Sequence, residues 1–357
     1  MKILYGVQAT GNGHITRARA MNKAIKKHGI EVDYLFSGRE KNKLFDMEEF
    51  GDFKCHGGLT FVTASGSIKP VATFKKNNFS QLWNDIKHLD LSEYDLVLTD
   101  FEPISAWAAK RQKKKSIAVG HQYAFDHKIP KKGNNPITAL FMQYFAPASI
   151  RLGLHWHHFN QAILPPIADT HSHTNDTIDN KIVVYLGFED TDAVIQYLSA
   201  FTEHDFFIYS HFNKAEDRGH LKLRPLSREG FQNDLANCNG VITNAGFELA
   251  SEAIHLGKKL LVKPLKGQME QLSNALALEQ LSLGMSMKSL DKNALERWLN
   301  DFTGTRIIYP DVPDAIINWI LNGDTNNTDD LIQTLWAETY SPNIPNFDLK
   351  GNLRSIG

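Results

Sequence analysis

Four side chains able to move a proton stand just beyond short apolar runs: His14, Asp100, Glu102 and His121. Residues 2–7, 96–98 and 116–119 read as buried strands. They deliver Gln8-Ala9-Thr10-Gly11-Asn12-Gly13-His14, Thr99-Asp100-Phe101-Glu102-Pro103 and Gly120-His121-Gln122-Tyr123 to their carboxyl ends. Catalytic groups of open α/β sheets sit on such ends. Each residue alone is equally well a helix cap or a satisfied loop histidine. All of them on one edge point to proton transfer. A second group lies far along the chain. Val241 and Ile242 form a strand, Thr243 to Gly246 a small-residue turn, and a helix follows that stops at Gly257. Asn244 and Gly246 therefore lie at a helix N-terminus, where free N–H groups and the helix dipole favour an anion. Glu248 and Glu252, four apart, project from one helix face. A phosphate on the turn and sugar hydroxyls on a carboxylate together suit a nucleotide.

The elements that position these groups repeat a strand–turn–helix rhythm, the mark of parallel sheets with crossover helices. The first strand is followed by a helix over 15–28, closed by Gly29, and a strand over 32–36. Residues 53–80 read as short strands or a long loop, and 81–89 as a helix. Pro103 suits the first turn of a helix that runs to Arg111. Residues 136–154 read as one apolar, aromatic helix. Residues 160–180, with Pro165 and Pro166, read as an interdomain segment. The pattern then restarts with strands at 181–186, 206–209 and 221–223 and helices at 193–201 and 228–237. Later helices are expected over 292–302, 315–321 and 329–338. The expected organisation is an N-terminal acceptor-binding domain over 1–160, a linker over 161–180, a donor-binding domain over 181–325, and a helix and tail over 326–357 that can return to the first domain.

Composition narrows the class. Two cysteines, Cys55 and Cys238, leave no disulfide framework and fit a reducing compartment. A strand-like start leaves no room for a signal peptide, and no apolar run nears the ~20 residues of a membrane span, so a cytoplasmic protein is expected. The net charge of −1 hides a division: residues 1–155 hold 23 Lys/Arg and 14 Asp/Glu, the rest 16 and 26. The Walker pattern fails because Asn12 stands where its lysine would, and the dinucleotide fingerprint fails because Thr16 stands where its third glycine would. The histidines at 155, 157, 158, 171 and 173 fit no tetrahedral metal spacing.

At residues 240–274 the sequence resembles the donor half of GT-B glycosyltransferases, above all the peptidoglycan GlcNAc transferase and diacylglycerol glucosyltransferase group. The shared features are Val241-Ile242, Asn244-Ala245-Gly246, Ser251-Glu252, Gly257-Lys258, and Gln271 through Asn274-Ala275. The loop Gly13-His14-Ile15 resembles that group's Gly-Gly-His-Ile. The resemblance also extends to predicted bacterial and archaeal glycosyltransferases without an assigned substrate. It implies two Rossmann-like domains facing a cleft, with Gly11, Asn12 and Gly13 forming the acceptor-side loop. It implies that Glu252 binds the donor ribose and that Gly246 and Phe247 cradle the diphosphate with help from Gly187 and Asn244. Arg224 and Ser227 would flank the nucleobase, and Gln268, Glu270 and Gln271 would face the donor sugar. Glu248 departs from the family's turn and would repel a diphosphate unless it points at the sugar.

The reaction so implied is transfer of a sugar from a nucleoside diphosphate sugar, expected to be UDP-linked, to a hydroxyl of a cell-envelope glycan or lipid. The helix N-terminus supplies the charge stabilisation, so neither metal nor cofactor is expected. His14 leads as base because histidine titrates near neutrality, followed by Asp100 and Glu102, then His121. Alternatives are a nucleotide-sugar epimerase of the same fold and a non-catalytic nucleotide-binding protein. Lys110, Arg111, Lys113, Lys114 and Lys115, with Lys75-Lys76 and Lys131-Lys132, point to peripheral contact with the anionic inner membrane face. Nucleic acid is not expected, because stacking aromatics are not interleaved with these lysines.

Overall fold

The computed structural model describes residues 1–60, 63–64, 67–68, 77–133, 136–168, 176–323, 325 and 327–341. The lysines at 75 and 76 and the histidines at 171 and 173 lie outside them. The first unit contains β1 (Lys2–Gln8), α1 (Asn12–Lys27), β2 (Glu31–Ser37), β3 (Lys54–His56), β4 (Thr63–Ala64), β5 (Ser67–Ile68), α2 (Phe79–His88), β6 (Leu96–Asp100), α3 (Pro103–Gln112), β7 (Ser116–Gly120), α4 (Pro136–Phe145) and β8 (Ile150–Gly153). The second contains β9 (Ile178–Tyr185), α5 (Thr191–Leu198), β10 (Asp205–Ser210), β11 (Glu216–Arg218), β12 (Leu221–Pro225), α6 (Arg228–Asn237), β13 (Cys238–Thr243), α7 (Phe247–His255), β14 (Lys259–Val262), α8 (Met269–Gln280), β15 (Met285–Ser286) and α9 (Lys292–Asp301). Then come α10 (Val312–Leu321) and α11 (Asp329–Glu338).

The first sheet runs β3-β2-β1-β6-β7-β8, parallel throughout, and the second runs β11-β12-β10-β9-β13-β14-β15. β6 and β7 are buried along their whole length, as strands of a sheet covered on both faces must be. In the first sheet the strand order reverses direction between β1 and β6, and in the second between β9 and β13. Ligands of open α/β sheets bind outside the carboxyl ends of strands at such reversals. His14 and Asp100 follow β1 and β6, and Gly187 and Asn244 follow β9 and β13, so each group sits at its sheet's reversal.

Three expectations are corrected. The helix expected over 136–154 ends at Phe145, because Pro147 can donate no amide to a continuing helix. Residues 150–153 instead pair with β7 as the last strand of the first sheet. The strand β11 went unread: it is short, charged and antiparallel, an edge built to resist further pairing. The chain also returns to the first unit before the expected boundary at 325. α10 packs on α1, and its Asp314 meets His28 Nε2 at 2.8 Å and Lys27 Nζ at 2.9 Å. Trp336 of α11 then donates to the Ile163 carbonyl at 2.6 Å. No helix among the described residues is long and apolar enough to cross a membrane.

Gly153 is where β8 admits the 3₁₀ turn His121–Asp126. A methyl group there would stand 2.7 Å from the Ala124 nitrogen and 2.8 Å from its Cα, backbone that cannot step aside. Gly153→Ala should therefore lower stability in urea denaturation by about 1–3 kcal/mol. Gly57→Ala, with nothing within 4 Å of the new methyl, should stay within about 0.5 kcal/mol of the wild type.

Candidate active site

His14 occupies the first turn of α1, and Asp100 is the last residue of β6. His14 Nδ1 lies 2.7 Å from Asp100 Oδ1. Arg17, one helical turn after His14, grips the same carboxylate with Nε to Oδ2 at 2.7 Å and Nη2 to Oδ1 at 2.6 Å. Asp100 is wholly buried and Arg17 is 1% exposed. Burial alone would raise the Asp100 pKa, but the Arg17 guanidinium and then His14 outweigh it and hold the carboxyl below its ordinary value. An ionised carboxylate only accepts hydrogen bonds. With the His14 ring neutral, its Nδ1–H donates to that carboxylate and Nε2 keeps the lone pair. Phe101, directly after Asp100, is held in the left-handed region at φ 51°, a strain of roughly 1–3 kcal/mol that marks functional sites. Its ring stacks on Phe145 at 4.7 Å, and that packing holds it there.

Glu102 and His121 do not join this pair. Glu102 is wholly buried under the sheet edge and caps α3, accepting from the amides of Ile104 (2.8 Å) and Ser105 (2.6 Å) and from Ser37 Oγ (2.6 Å). His121 is also wholly buried, and both ring nitrogens are engaged: Nδ1 by the Leu154 carbonyl at 2.8 Å and Nε2 by Asn274 Oδ1 at 2.6 Å. Its ring lies flat on Phe247, centroids 3.9 Å apart and planes 4° from parallel. Burial lowers its pKa, and its contacts with Asn274 and Phe247 make it a rivet between the two units. The sequence placed all four residues on one edge correctly, but could not show which side chains turn inward.

On the donor side the turn after β13 is tied to both neighbours. The Phe188 amide donates to Asn244 Oδ1 at 3.4 Å, and Asn244 Nδ2 donates to the Lys263 carbonyl at 2.9 Å. Gly246 precedes α7 without a side-chain cap; its own amide donates to the Asn244 carbonyl at 2.7 Å, and a methyl group on it would meet nothing within 4 Å. The Phe247 side chain is buried, leaving its backbone amide as its contribution. Glu252 accepts from Gln232 Nε2 at 3.2 Å and lines a cleft with Tyr185, Leu226, Ser227, Arg228 and Phe231. Ser227 also caps α6. Arg224 does not line that cleft. It turns to Asp217 at 2.7 Å over the Phe207 ring. Gln271 is likewise occupied, accepting from the Leu265 amide at 2.7 Å. Gln268 precedes α8 with a buried Oε1 that has no partner, and Glu270 accepts from Gln122 Nε2 at 3.2 Å.

The two edges meet across the cleft. Arg17 Nη1 bonds the Glu248 carboxylate, which fills the space above Gly13 that a side chain there would need. Asn12 Nδ2 reaches the Tyr185 hydroxyl at 3.2 Å, and Arg39 Nη1 holds Asn12 Oδ1 at 2.9 Å. Glu248, which a diphosphate would repel, thus points away from the turn. Gly11, Asn12 and Gly13 form the loop over which the halves touch. The cleft so closed measures about 140 Å³, below the roughly 300–1,000 Å³ of ligand pockets. Arg17, Gln122 and Tyr185 were missed in the sequence. For Arg17 a signal existed, since three residues after His14 places it on the same helix face. Among the described residues no cluster of three or more His, Cys, Asp or Glu could hold a metal.

The sequence profile of glycosyl transferase family 1 matches residues 1–303. The chain belongs to that family. It is a glycosyltransferase of GT-B fold, with two Rossmann-like domains. Solved structures agree on the fold. The spinosyn forosaminyltransferase SpnP aligns over 84% of this chain and 91% of its own, with a TM-score of 0.57 at 11% identity. A Streptomyces sp. SF2575 glycosyltransferase gives 0.55 at 13% identity over the same shares. Arabidopsis thaliana UGT89C1, solved with UDP, gives 0.55 at 14% over 84% of this chain and 89% of its own. No curated protein matches the sequence.

Asp100 gives this glycosyltransferase an acid-sensitive core. A carboxyl whose folded pKa is depressed contributes stability above its unfolded value, about 3.9, and loses it as pH falls through the folded value. Asp100→Asn should cost about 3–5 kcal/mol at pH 7 in urea denaturation, because Arg17 is left buried and half-paired. Its deficit relative to wild type should shrink below about pH 4.

Proposed function

We propose that this glycosyltransferase moves a sugar from a UDP-linked donor to an acceptor hydroxyl, with His14 as general base and without a metal. The observation that carries the reading is the His14–Asp100 pair at one sheet's reversal, facing the uncapped α7 start at the other's. The acceptor hydroxyl gives its proton to His14 Nε2, and its oxygen attacks the anomeric carbon. Asp100, fixed by Arg17, holds the tautomer and supports the imidazolium that forms. The Phe247 amide, at the uncapped start of α7, receives the charge that develops on the departing diphosphate. Glu252 takes the ribose hydroxyls in the cleft that Tyr185 and Phe231 also line.

A lipid-linked acceptor at an anionic membrane face, as in the peptidoglycan and diacylglycerol enzymes, is the finer reading. In its support, Phe79, Trp83, Leu140 and Tyr144 are exposed large side chains of the acceptor domain. Lys87 lies over the Trp83 ring and Lys110 over the Trp107 ring, both rings on this domain's helices. Part of the basic cluster is spent within the fold: Lys114 bonds the Tyr94 carbonyl, Lys115 bonds Thr325, and Lys131 bonds the Phe125 carbonyl.

His14→Ala should lower turnover roughly 10²- to 10⁴-fold while leaving UDP binding intact. Glu252→Ala should abolish the rise in melting temperature that UDP gives. A screen of UDP-sugars with and without acceptors reads both. Epimerised donor appearing without any acceptor would sink the transferase reading.

A further inference from the structure

We propose that Lys263 is a catalytic cation of the transfer, held by Glu189 in the empty enzyme and passed to the leaving diphosphate when the donor binds. The inference rests on the donor reading given above. Lys263 follows β14 directly, and Glu189 lies in the turn after β9. These two strands flank β13 on either side. Their side chains meet at 2.6 Å, with 9% and 11% of each exposed, so the ion pair spans the end of β13. That is the reversal point of the donor sheet, beside the Asn244–Gly246 turn. The turn is bound to both flanks through Asn244, to Phe188 on one side and to the Lys263 carbonyl on the other.

A lysine is a compact point charge on a flexible stem, able to exchange one anionic partner for another. A buried carboxylate–ammonium pair costs desolvation that its own attraction barely repays, so it is weak evidence for a purely stabilising role. Placed here, the pair keeps the empty site neutral. Glu189 holds the place on Lys263 that a phosphate oxygen would take, and a methyl group on Gly246 would meet nothing within 4 Å. The other carboxylate at this helix start, Glu248, is already taken by Arg17. With the donor bound, Lys263 pairs with a β-phosphate oxygen and Glu189 turns to solvent. As the acceptor oxygen bonds to the anomeric carbon, the bond from that carbon to the β-phosphate oxygen breaks. Its electron pair stays on that oxygen, beside the Lys263 ammonium, and the acceptor's proton is on His14.

Calorimetric titration of uridine, guanosine, adenosine and thymidine diphosphates, each beside its monophosphate, tests this. In the wild type one diphosphate should bind well above its monophosphate. Lys263→Met should weaken that diphosphate roughly 10- to 100-fold and change the monophosphate little, a ratio internal to each variant that general destabilisation does not move. Lys263→Arg should keep most of the preference. Glu189→Gln should tighten the diphosphate, because the ammonium loses its competitor, whereas a merely structural pair predicts weakening or no change. Equal losses for both nucleotides in Lys263→Met, or weaker diphosphate binding in Glu189→Gln, overturns the proposal while leaving the donor reading standing. A wild type that binds no nucleoside diphosphate overturns both.

Discussion

The grip of Arg17 on Asp100 is the interaction on which the rest of the site depends. A wholly buried carboxylate must be paired or protonated. Two nitrogens of one guanidinium keep it ionised. From that single charge follow the proton on His14 Nδ1 and, in the neutral ring, the free lone pair on Nε2. Because the same guanidinium also binds Glu248, the state of the acceptor side is coupled to the position of the donor helix. Helix α1 therefore opens on the contact loop Gly11–Gly13 and carries the base and its orienting cation within its first two turns.

Much of this was legible in the sequence because it is carried by backbone periodicity. Apolar runs ending in glycine, asparagine or acidic residues announced the parallel strands and their carboxyl-edge turns. Even the helix over 329–338 lies where its pattern put it. The roles of individual polar residues were less legible, since strand ends present several at once and alternation does not say which turns inward. Glu102 and His121 have the same local setting in sequence as Asp100 and His14. What separates them is long-range: Ser37 lies 65 residues from Glu102 and Asn274 lies 153 residues from His121. Arg224 and Gln271 are engaged elsewhere for a similar reason, Arg224 by Asp217 of β11 and Gln271 by the Leu265 amide in the loop before α8.

The donor half shows how such a site can be kept stable without ligand. The start of α7 carries no side-chain cap, and the nearby carboxylates Glu189 and Glu248 are each paired with a cation. Neither pair needs the donor to hold its geometry. Both lie where a phosphate-bearing molecule would rearrange them. The family match and the GT-B neighbours place this arrangement in a fold whose chemistry takes place between two halves.

The chain passes between those halves twice, once after β8 and once between α9 and α10. Trp156, just past the first passage, and Ile307, within the second, line one small cavity, so the two passages lie side by side. Two bodies joined at two neighbouring points share a door's geometry rather than a ball joint's, with both ties on one edge. The Trp156–Phe247–His121 stack is then the hinge post, and the Arg17–Glu248 contact is the catch on the opening edge.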